Sequence, residues 1–244
     1  EPRQDPRRGR GEKEKVKHAQ DDLLHRVQAR YLEGLERPRS ALYARLEEEA
    51  SRRGLPISDP EVASFLRVAV GSMASRPLRI LEVGTNIGYG ALVLAEAGGP
   101  RARVVTVEID GALVAEARRY VAEAGLQERV EVRQGSALTE LAALPGPWDV
   151  AYVDCVKEDY PAYFDAIVPK LAALGVLIAD NCLWKGLVAR FAQGEAVPDE
   201  ERARVQALAA FNEKVTTDPR LHGVVLPLGD GVAYAVRLPG AHAS

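Results

Sequence analysis

The chain has 244 residues, 47% hydrophobic and 27% charged, enough to bury the core of one large α/β domain. A net charge of −3 supplies no global field for nucleic acid, and two cysteines, Cys155 and Cys182, exclude a disulfide scaffold. No apolar run approaches the ~20 residues of a membrane span and no signal-peptide pattern opens the chain, so a reducing cytoplasm is the expected location.

Residues 1–17 are rich in Arg, Lys, Glu, Pro and Gly, the composition of a disordered tail, with no aromatics interleaved for nucleic-acid stacking. Residues 18–244 are then expected to form a single domain. A helix is expected over 21–36, with Leu23, Leu24, Val27, Tyr31 and Leu32 at helical spacing. A second runs from Ser40 to about 54 and turns Leu42, Tyr43 and Leu46 inward. These two helices precede the first strand and suit a lid, a dimer surface or plain packing. Residues 55–60 read as a loop, and 61–72 as a helix with Val62, Phe65, Leu66 and Val70 on one side.

Strands and helices then alternate. Strands are expected at 79–83, 104–108, 130–134, 148–154 and 175–180. The helix after the second strand buries Leu113, Val114, Ala117, Tyr120 and Val121. Another helix is expected over 161–174, and an irregular stretch leads to one over 199–217. Two last strands, 222–228 and 231–238, flank Gly229-Asp230. This order argues an α/β fold whose mostly parallel sheet carries an antiparallel edge.

The first strand runs into Gly84, Gly88 and Gly90, and then into a helix over 91–97. A strand, a tight glycine turn and a helix form the opening unit of a doubly wound domain. The spacing is not G-x-G-x-x-G, which disfavours a nicotinamide dehydrogenase. Glu108 closes the second strand, where a ribose diol would be held.

The fourth strand ends in Asp154 and the fifth in Asp180-Asn181. Crossover connections put these ends on one edge, facing the crevice beside Gly84. An aspartate at a strand end can simply cap the next turn. Two carboxylates with an amide oxygen also make a hard site that suits Mg²⁺, Ca²⁺ or Mn²⁺ and not zinc. Lys157 follows Asp154 by one turn, and a partly desolvated lysine beside a cation can serve as a general base. Cys155 and Cys182 read as small core residues.

These segments resemble the cation-dependent O-methyltransferases, the group of catechol and caffeoyl-CoA O-methyltransferases and their bacterial relatives. The resemblance rests on Leu81-Glu-Val-Gly-Thr-Asn-Ile-Gly-Tyr-Gly90, Val107-Glu-Ile-Asp110, Val153-Asp-Cys-Val-Lys157, Ala179-Asp-Asn-Cys-Leu-Trp-Lys-Gly186 and Leu228-Gly-Asp-Gly231. It covers about residues 20–240, and Asp-x-x-Lys followed by Asp-Asn is its most specific part. It implies a Rossmann-like S-adenosylmethionine-dependent fold with seven strands and extra N-terminal helices, and a homodimer. Asp154, Asp180 and Asn181 would bind the cation, and Lys157 would take the acceptor's proton. Glu108 would hold the cofactor ribose; Glu82, Gly84, Thr85 and Gly90 its methionine end; Ser136 and Ala137 its adenine. Ile57 and Ser58 match the loop that closes over the cofactor, and Asp154 also approaches the cofactor's amino acid part. Trp184 and Lys185 lie where relatives contact the acceptor, expected to be a catechol-like small molecule. Gly90 stands where a serine is usual, and Asn86 where an aromatic is more common. Two alternatives remain at this point: a tRNA hydroxyuridine O-methyltransferase of the same family, and a non-catalytic cofactor-binding domain.

Overall fold

Helix α1 (Ala41–Arg53) ends on Gly54 at φ 64°, where the N–H groups of Gly54 and Leu55 reach back to the carbonyls of Ser51 and Ala50. This Schellman stop needs a left-handed residue, and glycine adopts it without strain. Helix α2 (Pro60–Gly71) begins on a proline, whose missing N–H has no partner to lose in a first turn. The computed structural model describes residues 40–240 together with Tyr31, Gly34 and Leu35. The chain divides into two compact units, Glu1–Arg37 and Pro38–Ser244, and the fold below is that of the second. The helix expected over 21–36 and the tail over 1–17 lie outside the described residues.

The remaining elements are β1 (Arg79–Val83), α3 (Tyr89–Ala97), β2 (Arg103–Glu108), α4 (Gly111–Glu123), β3 (Val130–Gln134), α5 (Ala137–Ala143), β4 (Trp148–Val153), α6 (Tyr160–Ile167), β5 (Leu171–Ala179), α7 (Leu187–Ala192), α8 (Asp199–Thr217), β6 (Leu221–Leu226) and β7 (Val232–Arg237). They form one seven-stranded sheet in the order β3-β2-β1-β4-β5-β7-β6. The first five strands pair in parallel, and β7 runs antiparallel between β5 and β6. Every residue of β4 is buried, as expected of a central strand covered on both faces.

Short-range chemistry sets several joints. Asp110 caps α4 by accepting from the N–H groups of Ala112 (2.7 Å) and Leu113 (3.3 Å). Asp149 locks the starts of β4 and β1 together, accepting from Arg79 N at 2.7 Å and from Arg76 Nη1 at 2.5 Å. One boundary departs from the sequence pattern. The helix expected through residue 174 stops at Ile167, and β5 starts at Leu171. Pro169 offers no N–H, and the chain passes through a 3₁₀ turn, Val168–Lys170. The early part of β5 is irregular, with Leu174 at φ 61° and a register shift against β4 between Trp148 and Val150.

The core lies in two layers. One face of the sheet, with Ile80, Val104, Val150 and Ile178, packs on α1 to α4 through Leu46, Leu66, Leu92 and Val114. The other, with Leu81, Val153 and Leu177, packs on α5, α6 and α8 through Leu141, Phe164 and Phe211. Among the described residues no helix is long and apolar enough to cross a membrane.

Candidate active site

The ladder bonds continue one step past the ends of β1, β4 and β5. Gly84 N–H donates to the Val107 carbonyl (3.0 Å), Asp154 N–H to Val83 (2.9 Å) and Asp180 N–H to Val153 (3.0 Å). Gly84, Asp154 and Asp180 therefore stand side by side at the carboxyl edge of the sheet. Gly84 sits at φ 101°, and a Cβ there would collide with the Asp154 carbonyl oxygen. Only glycine fits, because two backbones pass at near contact.

Glu108 ends β2 with its carboxylate already organised. Oε2 accepts from Asn86 N (2.9 Å), and Oε1 from Ile109 N (2.9 Å) and Asp110 N (3.0 Å). Lone pairs remain for a diol. Glu82 is 1% exposed and accepts from Thr106 Oγ1 at 2.5 Å, and Thr106 in turn meets Thr85 Oγ1 at 2.5 Å. Burial pushes the Glu82 carboxyl up to about 8, and the charges of Asp154 and Glu108 add to the effect. Gly90 faces it: a Cβ there would collide with Glu82 Oε1, which gives a packing reason for glycine at this position.

A 3₁₀ turn over Lys157–Asp159 brings the lysine back onto the strand end it left. Its Nζ donates to Asp154 Oδ1 at 2.6 Å and lies 5.2 Å from the centre of the Tyr160 ring. Asp180 is 3% exposed, and its Oδ1 accepts from Asn181 N at 2.7 Å. Burial, with the neighbouring Asp154 charge, raises the Asp180 carboxyl to about 7. Two carboxylates thus face one ammonium in a poorly hydrated corner. Among the described residues no group of three His, Cys, Asp and Glu side chains is arranged to hold a metal. The oxygen set here is two carboxylates and an amide.

The segment after β5 is held in an unusual backbone. Asn181, Trp184 and Lys185 have φ values of 58°, 45° and 54°. Non-glycine residues in this region persist only where their surroundings hold them. Here Cys182 N donates to Gly231 O (2.8 Å), Leu183 N to Asp230 O (2.9 Å) and Lys185 N to Asp230 Oδ1 (2.6 Å). Asn212 of α8 adds a bond from Nδ2 to the Cys182 carbonyl (2.8 Å). Trp184 is pinned in turn, donating from Nε1 to Glu201 Oε2 at 2.8 Å with the Arg204 guanidinium 4.7 Å from its ring centre. Arg204 also bonds Glu201 (2.6 Å) and reaches Glu158 (3.2 Å).

A cleft of about 450 Å³ runs along this edge. Of the residues expected from the sequence, Ile57, Ser58, Glu82, Gly84, Thr85, Gly90, Glu108, Asp154, Lys157, Asn181 and Trp184 line it. Asp180 lies buried beside Asn181, and Lys185 is exposed with its Nζ 5.7 Å from the Trp184 ring. Ser136 is exposed at the start of α5, and neither it nor Ala137 lines the cleft. Cys182 is buried as expected, whereas Cys155 is half-buried and lines the cleft. Asn86, Tyr152 and Arg204 also line it. Asn86 belongs to the glycine turn, whereas no local motif marks Tyr152 and Arg204, because each acts on residues remote in sequence. A groove of similar size, about 490 Å³, lies elsewhere, along α1 and α4. Its walls are the ion pairs Arg45–Glu123, which joins α1 to α4, and Arg52–Glu49 within α1, with Arg119.

The O-methyltransferase family model matches residues 40–238. Tricin synthase 2 of Oryza sativa subsp. japonica is 30% identical over 192 residues, 76% of this chain and 64% of that protein. The chain thus spans a little under two thirds of that relative. Catechol O-methyltransferase domain-containing protein 1 of Mus musculus is 29% identical over 199 residues, 77% of this chain and 73% of that protein. Among solved structures, the O-methyltransferase from Bacillus cereus in complex with SAH superposes with a TM-score of 0.74 at 28% identity, covering 85% of this chain and 96% of that one.

Proposed function

The chain belongs to the cation-dependent O-methyltransferase family, and we propose that it is an S-adenosylmethionine-dependent O-methyltransferase that methylates a catechol-like acceptor with the help of a divalent cation held by Asp154, Asp180 and Asn181. The observation that carries this reading is the pair of carboxylates, buried Asp180 and half-buried Asp154, facing a single lysine beside the cleft. The pair has an excess negative charge that a hard cation would neutralise, and every donor is oxygen, as Mg²⁺, Mn²⁺ or Ca²⁺ require.

The residues divide the work. Glu108 would hold the ribose hydroxyls, with its carboxylate fixed by three backbone N–H groups. Glu82 would receive the cofactor's ammonium, whose charge would offset the cost of ionising a buried acid. Ile57 and Ser58 would cover the cofactor, and Trp184 would form a flat wall for the acceptor ring. Lys185 lies outside that wall. Ser136 and Ala137 stand beyond the cleft and would reach the adenine only at its outer edge. A bound cation supplies Lewis acidity that makes one of two vicinal hydroxyls a stronger acid and fixes its direction. S-adenosylmethionine supplies the methyl group on a sulfonium. Lys157 Nζ would take the hydroxyl proton as a neutral amine, having lost its own proton to solvent when the cation's charge arrives beside it, and the freed oxygen would receive the sulfonium methyl, leaving S-adenosylhomocysteine. The proton ends on the lysine, and no covalent enzyme intermediate forms. Positioning both reactants in one cleft contributes on the order of 7–11 kcal/mol in ideal cases.

A base held 2.6 Å from a candidate ligand favours catalysis over mere cofactor binding. The expected homodimer would use the outer face of β6 and β7. Val224 there is 44% exposed opposite Tyr234, which stacks edge-on with Phe65 of α2, whose Val68 is 73% exposed.

The test is methyl transfer from S-adenosylmethionine to 3,4-dihydroxybenzoate with Mg²⁺ and then with excess EDTA. Activity that EDTA abolishes, and that Lys157→Ala loses while still binding S-adenosylhomocysteine, is the expected result. Turnover that survives EDTA sinks the cation, and full turnover by Lys157→Ala sinks the base.

A further inference from the structure

Tyr152 is the penultimate residue of β4, 1% exposed, where a phenylalanine would pack equally well. Its hydroxyl is nevertheless placed between two functional groups. Ser58 Oγ lies 2.8 Å away, and Asp180 Oδ2 3.4 Å away. A carboxylate that holds a cation can only accept, so the single phenol proton points to Asp180. Ser58 must then donate to the Tyr152 oxygen. The result is one directed chain, Ser58 to Tyr152 to Asp180, with all three side chains buried.

The two ends of this chain differ in place: Ser58 lines the cleft, and Asp180 lies buried beside Asn181. Ser58 sits at 7% exposure on a loop between α1 and α2 whose neighbours Pro56 and Asp59 are exposed. That loop is tied to the glycine turn by Asn86 Nδ2, which donates to the Pro56 carbonyl at 2.6 Å. Asp180 stands at the acceptor end. We infer that Tyr152 is a positioning residue that couples the seating of the 55–59 loop on the cofactor to the orientation of the Asp180 carboxylate. Cofactor contacts that hold the loop in this seated position would keep the chain complete and Asp180 fixed for the cation. By linkage, the cation then favours the seated loop by the same factor. This inference rests on the reading of Asp180 as a cation ligand.

Calorimetric titration of Mn²⁺, with and without saturating S-adenosylhomocysteine, tests it on the full chain. Wild type should bind Mn²⁺ about five- to tenfold tighter when the nucleoside is present, the low end of ordinary coupling factors. Tyr152→Phe and Ser58→Ala should each bring that ratio to within about twofold of unity, with both ligands still binding singly to Tyr152→Phe, and with Ser58→Ala measured at a nucleoside concentration that saturates the variant itself. Ser58→Ala changes a loop residue, so it remains informative if Tyr152→Phe unfolds. Full coupling in either folded variant overturns the inference, as does a wild type whose Mn²⁺ affinity ignores the nucleoside. Asp180→Asn separates the two claims. If it binds Mn²⁺ as wild type does, the cation assignment fails and the inference fails with it.

Discussion

At Gly84 the backbone of β1 leaves the sheet at φ 101° and passes against the Asp154 carbonyl. Gly84→Ala adds both a left-handed penalty and a collision with backbone that has no free end to move. It is expected to cost on the order of 3 kcal/mol and to abolish binding of S-adenosylhomocysteine, read by thermal melting with and without that ligand. A variant that melts like wild type would show that the turn can relax. Glu82 gives a pH-dependent expectation. Burial, reinforced by Asp154 and Glu108, lifts its carboxyl from 4.5 to about 8. A raised carboxyl favours the fold below its unfolded value and loses that contribution as pH climbs to the folded value. The cofactor-free enzyme should therefore lose stability from pH 4.5 to 8 through this group, on the order of a few kcal/mol. Glu82→Gln should flatten that slope and overtake wild type above pH 8, measured by urea unfolding at several pH values. Equal slopes would place the titration elsewhere.

Elements matter where they hold a residue from a distance. Helix α8 presents Glu201 and Arg204 to Trp184, and the pair fixes the indole by a hydrogen bond and a cation over its face. Arg204→Ala is expected to raise the acceptor KM about tenfold, roughly 1.4 kcal/mol of lost contact, and to leave the cofactor KM unchanged. A change in the cofactor KM instead would assign Arg204 to the wrong end of the cleft. Local signals made much of this edge readable in the sequence. Gly84, Glu108, Asp154 with Lys157, and Asp180-Asn181 all sit at strand ends, and the alternation of strands and helices determines that such ends share an edge. Arg204 and Tyr152 gave no such signal. Trp184 and Glu201 are 17 residues apart, and Tyr152 and Ser58 are 94 apart, so neither pair shares a local pattern. The start of β5 is hidden in the sequence because Leu171-Ala-Ala-Leu174 is an apolar run of good helix formers that continues the preceding helical pattern as far as Gly175.

For the whole molecule, the sheet order places β1 beside β4 at the point where the winding reverses, and the cleft opens there. The antiparallel pair at the far edge leaves Val224 and Val68 exposed beside the Phe65–Tyr234 contact. If a second copy covers this face, Val224→Asp should turn a dimer into a monomer in sedimentation velocity with little change in melting temperature; a wild type that sediments as a monomer would refute it. The sequence by itself determined the alternation of elements, the glycine turn, and the acid, amide and lysine at the strand ends. Each is written in a few consecutive residues, where backbone conformation and burial periodicity act locally. Only the tertiary structure decided that Tyr152 joins Ser58 to Asp180, that Arg204 backs Trp184, and that Gly90 makes room for Glu82. Those contacts depend on where side chains from separate elements meet across the packed sheet, and that is set by the packing of all the elements together.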